Sequence, residues 1–246
     1  MSDYETFKNA PITEAVLEII ADPQEGLQIE DLLHFPGHVR DRYSRTAQKL
    51  EFKGGFKMGA EVSILPGEQK AVGYLLHSDE DKKVIQSRMN GFAFSKLKPY
   101  ENWEAFRSEA RDLWCSYLEI TKPKTISRIS LRYINRIEIP MPMKDFSEYL
   151  LTNPQIAPGL PQTLCGLFMR LEIQEPTLDA TGVVVLAVDK AVVPDRLPLI
   201  FDIDVMRKGS FVDNLDGIWD DFENLRIFKN EIFFKSLTDR AKELIR

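Results

Sequence analysis

Two stretches of the chain carry apolar residues at helical spacing. Trp103, Phe106, Ala110, Leu113, Trp114 and Tyr117 recur every three or four positions, while Glu104, Arg107, Glu109, Arg111 and Asp112 fill the other faces. That is the pattern of an amphipathic helix with one buried stripe. Pro123 stops this helix near Thr121, because proline lacks an amide hydrogen and restricts the residue before it. In the second stretch Trp219, Phe222, Leu225, Phe228 and Ile232 form the stripe, and Phe233, Phe234 and Leu237 extend it. Asp213 or Asn214 is the expected N-cap, and Asp216, Asp220 and Asp221 suit the positive end of the helix dipole. Thr238 is placed to cap a last short helix.

Elsewhere the period falls to two. Over residues 126–139, Ile129, Leu131, Tyr133, Ile137 and Ile139 point one way and Arg128, Ser130, Arg132, Arg136 and Glu138 the other, as in a strand with one buried face. Shorter patterns predict strands over residues 11–20, 62–65, 71–76, 83–97 (with a bulge at Gly91), 164–174, 182–188 and 199–206. Short helices are expected over 27–33, 39–50 and 144–152, and a turn over 53–59. The order of elements predicts one α+β domain built of two similar halves, 1–140 and 162–246. Each half is a run of antiparallel strands followed by a long amphipathic helix, with the helices packed on one face of the sheet. A proline-rich connection, 141–161, joins them. Its Phe146, Tyr149, Leu150 and Leu151 call for burial rather than for a flexible linker.

Composition narrows the function classes. With 43% hydrophobic and 28% charged residues the chain is ordinary for a soluble globular protein. A net charge of −6 works against a general electrostatic grip on nucleic acid or anionic membrane. The polar, acidic residues 1–8 do not read as a secretory signal, and no run approaches the roughly 18 apolar residues of a membrane span. A cytoplasmic setting is expected. Cys115 and Cys165 have neither disulfide-framework nor metal spacing, and Cys115 is expected to be a small core residue beside the helix stripe.

Chemistry-bearing residues gather on strand faces. Arg128, Arg132 and Arg136, four apart, share the polar side of the central strand. Asp202 and Asp204 share one face of a second strand, and Arg170, Glu172 and Gln174 one face of a third. These charges form either cross-strand ladders, each pair stabilising by about 0.2–1 kcal/mol, or a binding surface on a twisted sheet. A third reading is a metal site on Asp202 and Asp204 with Glu172 or Asp189, whose hard oxygen ligands would suit Mg or Mn. Asn135 falls on the apolar side of the central strand, where a buried amide needs hydrogen bonds. Either the strand bulges near Ile134, the preferred reading, or a specific network holds the amide. His34 and His38 are separated by Pro36 and Gly37, so they do not form a helical metal pair. No nucleophile elbow, phosphate loop or dinucleotide fingerprint is present.

Asn9-Ala10-Pro11-Ile12 with Glu14-Ala15-Val16, Gly91-Phe92, Leu97-Lys98-Pro99-Tyr100, Leu131-Arg132-Tyr133-Ile134-Asn135-Arg136-Ile137 and Leu225-Arg226 with Lys229-Asn230 together carry a resemblance. They resemble a sporadically distributed bacterial family of uncharacterised proteins, and the resemblance covers nearly the whole chain. It implies no activity and no catalytic residue. The family's scattered distribution implies accessory genes, such as those of defence or toxin–antitoxin loci. The reading favoured by the sequence is a non-catalytic module that binds a protein partner or a small ligand through Arg128, Arg132, Arg136 and Asn135. The alternatives are a metal-dependent hydrolase or nuclease using the acidic face, and a nucleic-acid binder using the arginine row, which the net charge disfavours.

Overall fold

The computed structural model describes residues 4–57, 63–80, 82–162, 166–211 and 217–246, with side chains for all of these except 52–57 and 63–68. The described residues form nine strands: β1 Ile12–Asp22, β2 Arg45–Lys57, β3 Ser63–His77, β4 Lys83–Arg88, β5 Gly91–Leu97, β6 Thr125–Pro140, β7 Phe168–Glu175, β8 Ala180–Val188 and β9 Arg196–Lys208. They form one antiparallel sheet in the order β2-β3-β4-β5-β1-β6-β9-β8-β7. The helices are α1 Gly37–Arg42, α2 Trp103–Thr121, α3 Ile218–Ser236 and α4 Asp239–Glu243, with 3-10 turns at Ile29–Leu33 and Phe146–Glu148.

This corrects the expected α+β fold of two halves that each end in a long helix. The molecule is dominated by a single large sheet. β6 pairs with β9 over Arg128–Pro140 and Arg196–Lys208, so strands from before and after the proline-rich connection join one ladder. The first long helix does not end a half but leads into β6, the longest strand of the sheet. Periodicity marks each helix clearly, but a strand's partners lie far along the chain and leave no such mark.

Residues interleave into two compact units. One comprises residues 18–95 and 102–127. Here α2 begins at Asn102, whose side-chain oxygen accepts from the Ala105 amide at 2.8 Å, and its stripe packs on β5. Phe92 lies against Trp114 and Tyr117 at ring separations of 5.8 and 5.7 Å, and Phe94 stacks on Phe106 at 5.3 Å. Gly91 has φ +146, and a Cβ there would come within 2.3 Å of the Ile19 carbonyl oxygen on β1, so only glycine lets these backbones approach. The expected continuous strand over 83–97 divides at that point into β4 and β5. The helix expected over 39–50 stops at Arg42 and β2 begins at Arg45. β2 runs through the expected turn at 53–57, and β3 replaces the two strands expected on either side of Pro66 and Gly67. Cys115 is exposed rather than packed in the core, being one position off the buried side of the helix. Cys165, Asp213, Asn214 and Asp216 lie outside the described residues.

Glu109, on the outer flank of α2, ties this unit together. It accepts from Tyr43 Oη at 2.9 Å and from Lys83 Nζ at 2.7 Å, and pairs with Arg42 at 3.3 Å. Burial, and next the negative charge of Glu109, push the Tyr43 hydroxyl well above the ordinary tyrosine range, so Tyr43 stays a donor. Glu109→Ala is expected to cost about 1.5–3 kcal/mol, as hydrogen bonds to a charged group are lost. A urea midpoint equal to that of the parent would show that the three contacts contribute nothing.

The other unit comprises residues 1–17, 96–101 and 128–246. α3 packs on β8 and β9. A Cβ at Gly182 of β8 would meet Ile232 Cδ1 at 2.8 Å, and Phe201 of β9 stacks on Phe233 at 5.7 Å. Thr238 caps α4 as expected, its hydroxyl accepting from the Ala241 amide at 3.2 Å. Within the proline-rich connection Phe146, Tyr149 and Leu150 are buried and Leu151 is 65% exposed. Leu150 bridges to Leu237 at the end of α3, so that stretch of the connection is held to the fold.

Candidate functional site

In the unit containing β6–β9, the two sides of the sheet differ. Tyr133, Phe201, Ile203, Val184 and Leu186 are buried on the side that α3 covers. Register fixes what stands on the opposite side, because directly opposed residues share a face. Arg132 lies opposite Asp204, which lies opposite Val183, which lies opposite Glu172. Ile134, Asp202, Val185 and Arg170 form the neighbouring row. The structure therefore gathers Arg132, Asp202, Asp204 and Glu172 on one face.

Arg132 grips Asp202 with two hydrogen bonds, Nε to Oδ1 at 2.9 Å and Nη2 to Oδ2 at 2.6 Å. The bidentate geometry is that of a strong charge-assisted pair. The Asp202 bonds are the leading reason that the guanidinium is held even more firmly protonated than usual, with Asp204 and Glu14 adding weaker attraction. The Arg132 side chain remains 46% exposed while that of Asp202 is 12% exposed. Arg136 donates to Glu138 at 2.8 Å and also pairs with Asp189. Arg128 opposes Lys208 at the far end of the ladder. Arg132 and Arg136 are thus engaged by carboxylates of their own chain.

The acidic set does not converge as a metal site would. Asp202 is taken by Arg132, and Glu172 is paired with Arg170 at 2.6 Å. Glu172 stands two strands from Asp204, roughly 9–10 Å at ordinary strand spacing. Among the described residues no group of three or more histidine, cysteine or acidic side chains is placed to hold a metal ion. His34 lies 3.7 Å from Asp31 and His38 sits on α1.

Asn135 is 2% exposed, and its amide nitrogen donates to the Phe201 carbonyl at 2.9 Å and to the Tyr133 carbonyl at 3.3 Å. Pairing of β6 with β9 is unbroken across this point. The network, and not a bulge against β9, accommodates the amide, so Asn135 faces the α3 side and not the arginine row.

On that α3 side stands Lys229, a residue outside the candidate sites that the strand faces suggest. It occupies a stripe position of α3, four residues after Leu225 and three before Ile232, where the pattern calls for an apolar side chain. Its Nζ lies 4.0 Å from the centre of the Tyr133 ring and donates to Asn230 Oδ1 at 2.5 Å. The Tyr133 hydroxyl meets that of Tyr100 at 2.7 Å. Lys229 is half-buried as a residue, yet the protein encloses its ammonium closely enough to push it down to about 7, with the nearby Arg226 charge acting in the same direction. The signal for this site was a lysine inside an apolar stripe.

No helix among the described residues is long and apolar enough to cross a membrane. No family model, curated protein or solved structure matches the chain.

Proposed function

We propose that the chain is a non-catalytic binding module of an accessory bacterial system, and that a protein partner docks on the face of β6, β9 and β8 turned away from α3. One observation carries this reading. Ile134, Val183, Val185 and Ile200 stand half-exposed on that face around the Arg132–Asp202 pair. An apolar patch rimmed by charge is the usual make-up of a docking surface. The neighbouring edge strand β7 adds Phe168, 74% exposed. Arg132, mid-strand and partly open, keeps its fork beside the patch, where it orients a partner by charge.

Arg132 alone is a poor probe, because its removal leaves the buried Asp202 without its partner. Arg132→Gln/Asp202→Asn removes both charges and is expected to cost about 1 kcal/mol or less, since one member of the pair is largely solvated. A photo-crosslinking residue at position 185, used in cells, is expected to give one discrete covalent adduct. The adduct is expected to disappear in the double variant. The same crosslinker at Arg40 on α1 serves as control. A smear, no adduct, or the same adduct from both positions would remove this face as the docking surface.

A further inference from the structure

Lys229 differs from Lys96 of the same unit. Lys96 is 6% exposed and has a carboxylate, Glu101, at 3.0 Å. Lys229 has a tyrosine ring, an amide oxygen and, among the described residues, no carboxylate within ion-pair distance. Arg226, one turn earlier on α3, brings a second cation toward it, although Arg226 is itself joined to Glu223 at 2.5 Å. From β6 comes Tyr133, and from the segment before α2 comes Tyr100, whose hydroxyls form a pair beside the ammonium's ring contact. An enclosed cation without a counter-ion is costly. The ammonium, and the hydroxyl of the pair that accepts from the other, can donate to oxygen.

We propose that Lys229, with the Tyr100–Tyr133 hydroxyl pair beside it, forms a binding site for a small oxyanion, a carboxylate or phosphate group, which supplies the counter-ion that the described residues do not. The site lies on the α3 side of the sheet and is independent of the docking face described above. A bound anion favours the ammonium form, so anion binding and proton uptake are linked. Above neutrality, where the free lysine has lost its proton, each binding event takes one up. Below neutrality the lysine is already charged and little uptake accompanies binding.

The test titrates the full chain with inorganic phosphate in one arm and with acetate in the other, by calorimetry in two buffers of different ionisation enthalpy, at about pH 6 and about pH 8.5. Saturable binding is expected in at least one arm. In the acetate arm uptake approaches one proton at the higher pH and near zero at the lower. In the phosphate arm, whose ligand itself loses a proton between the two pH values, the same uptake by the chain is read after the phosphate's own protonation change is subtracted. The arm that binds identifies phosphate or carboxylate as the ligand class. Melting temperature is expected to rise with anion concentration in the parent but not in Lys229→Met. Phosphate also stabilises proteins generally by exclusion from their surface, so an equal rise in parent and Lys229→Met would overturn the proposal. So would the absence of binding in both arms, or binding whose proton uptake is the same at both pH values. Should Lys229→Met fail to fold, the pH dependence of uptake in the parent alone decides.

Discussion

Replacing Lys229 by methionine is expected to stabilise the protein by about 2–4 kcal/mol near pH 6. Burial holds the Lys229 ammonium down to about 7 in the folded state, whereas in the unfolded chain it titrates near 10.4. Between these values the unfolded state binds the additional proton, so stability of the parent rises with pH across that window. Below about pH 7 the lysine is charged in both states and the full penalty is present. Each unit of displacement is worth about 1.4 kcal/mol. The attraction of the ammonium to the Tyr133 ring, about 0.5–2 kcal/mol, offsets part of the gain when the lysine is removed. Methionine fills similar volume with an apolar, adaptable side chain. The advantage of the variant is therefore expected to shrink as pH is raised from 7 toward 10. Urea unfolding of both proteins at about pH 6 and about pH 9.5 measures this. A variant less stable than the parent, or an advantage that does not change with pH, would show that the ammonium is well solvated.

Phe92→Ala is expected to cost about 3–5 kcal/mol, the range for removing a buried aromatic ring from a packed core. Phe92 is 0% exposed and touches both Trp114 and Tyr117, so its ring holds α2 on β5. The neighbours cannot close the cavity easily. The Tyr117 hydroxyl is fixed to the Arg88 carbonyl at 2.8 Å, and Trp114 stacks on Tyr117 at 5.3 Å. A loss under about 1 kcal/mol, measured in urea, would mean that the helix is seated by other contacts.

What the sequence disclosed follows from the range of the forces involved. α2, α3 and β6 were legible because each shows its buried face within its own stretch: Trp103 through Tyr117, Trp219 through Ile232, Ile129 through Ile139. The alternation also put Arg132 on the polar side of β6 and Asp202 with Asp204 on one side of β9, while only the β6–β9 pairing brings the two sets onto one face. Strand order was not legible, because no local pattern says that β1 lies between β5 and β6. The helix expected beyond Arg42 failed because Arg45 to Leu50 pairs with Ala71 to His77, and that partnership outweighs weak local preference. Asn135 and Lys229 are the two polar residues that break apolar stripes. The same rule, a polar side chain inside an apolar stripe, finds both.

The position of β1 has a consequence for how the molecule is made. β1 is synthesised well before β6, yet Thr13 bonds to the Ile134 carbonyl 121 residues further on. Its ladder with β6 cannot close during early synthesis, and such long-range closures slow folding. Until β1 is inserted, β5 and β6 each present an unpaired edge, and exposed edges recruit other strands. The partly made chain is therefore the form most exposed to aggregation, and the burden on chaperones falls before residue 140 has emerged.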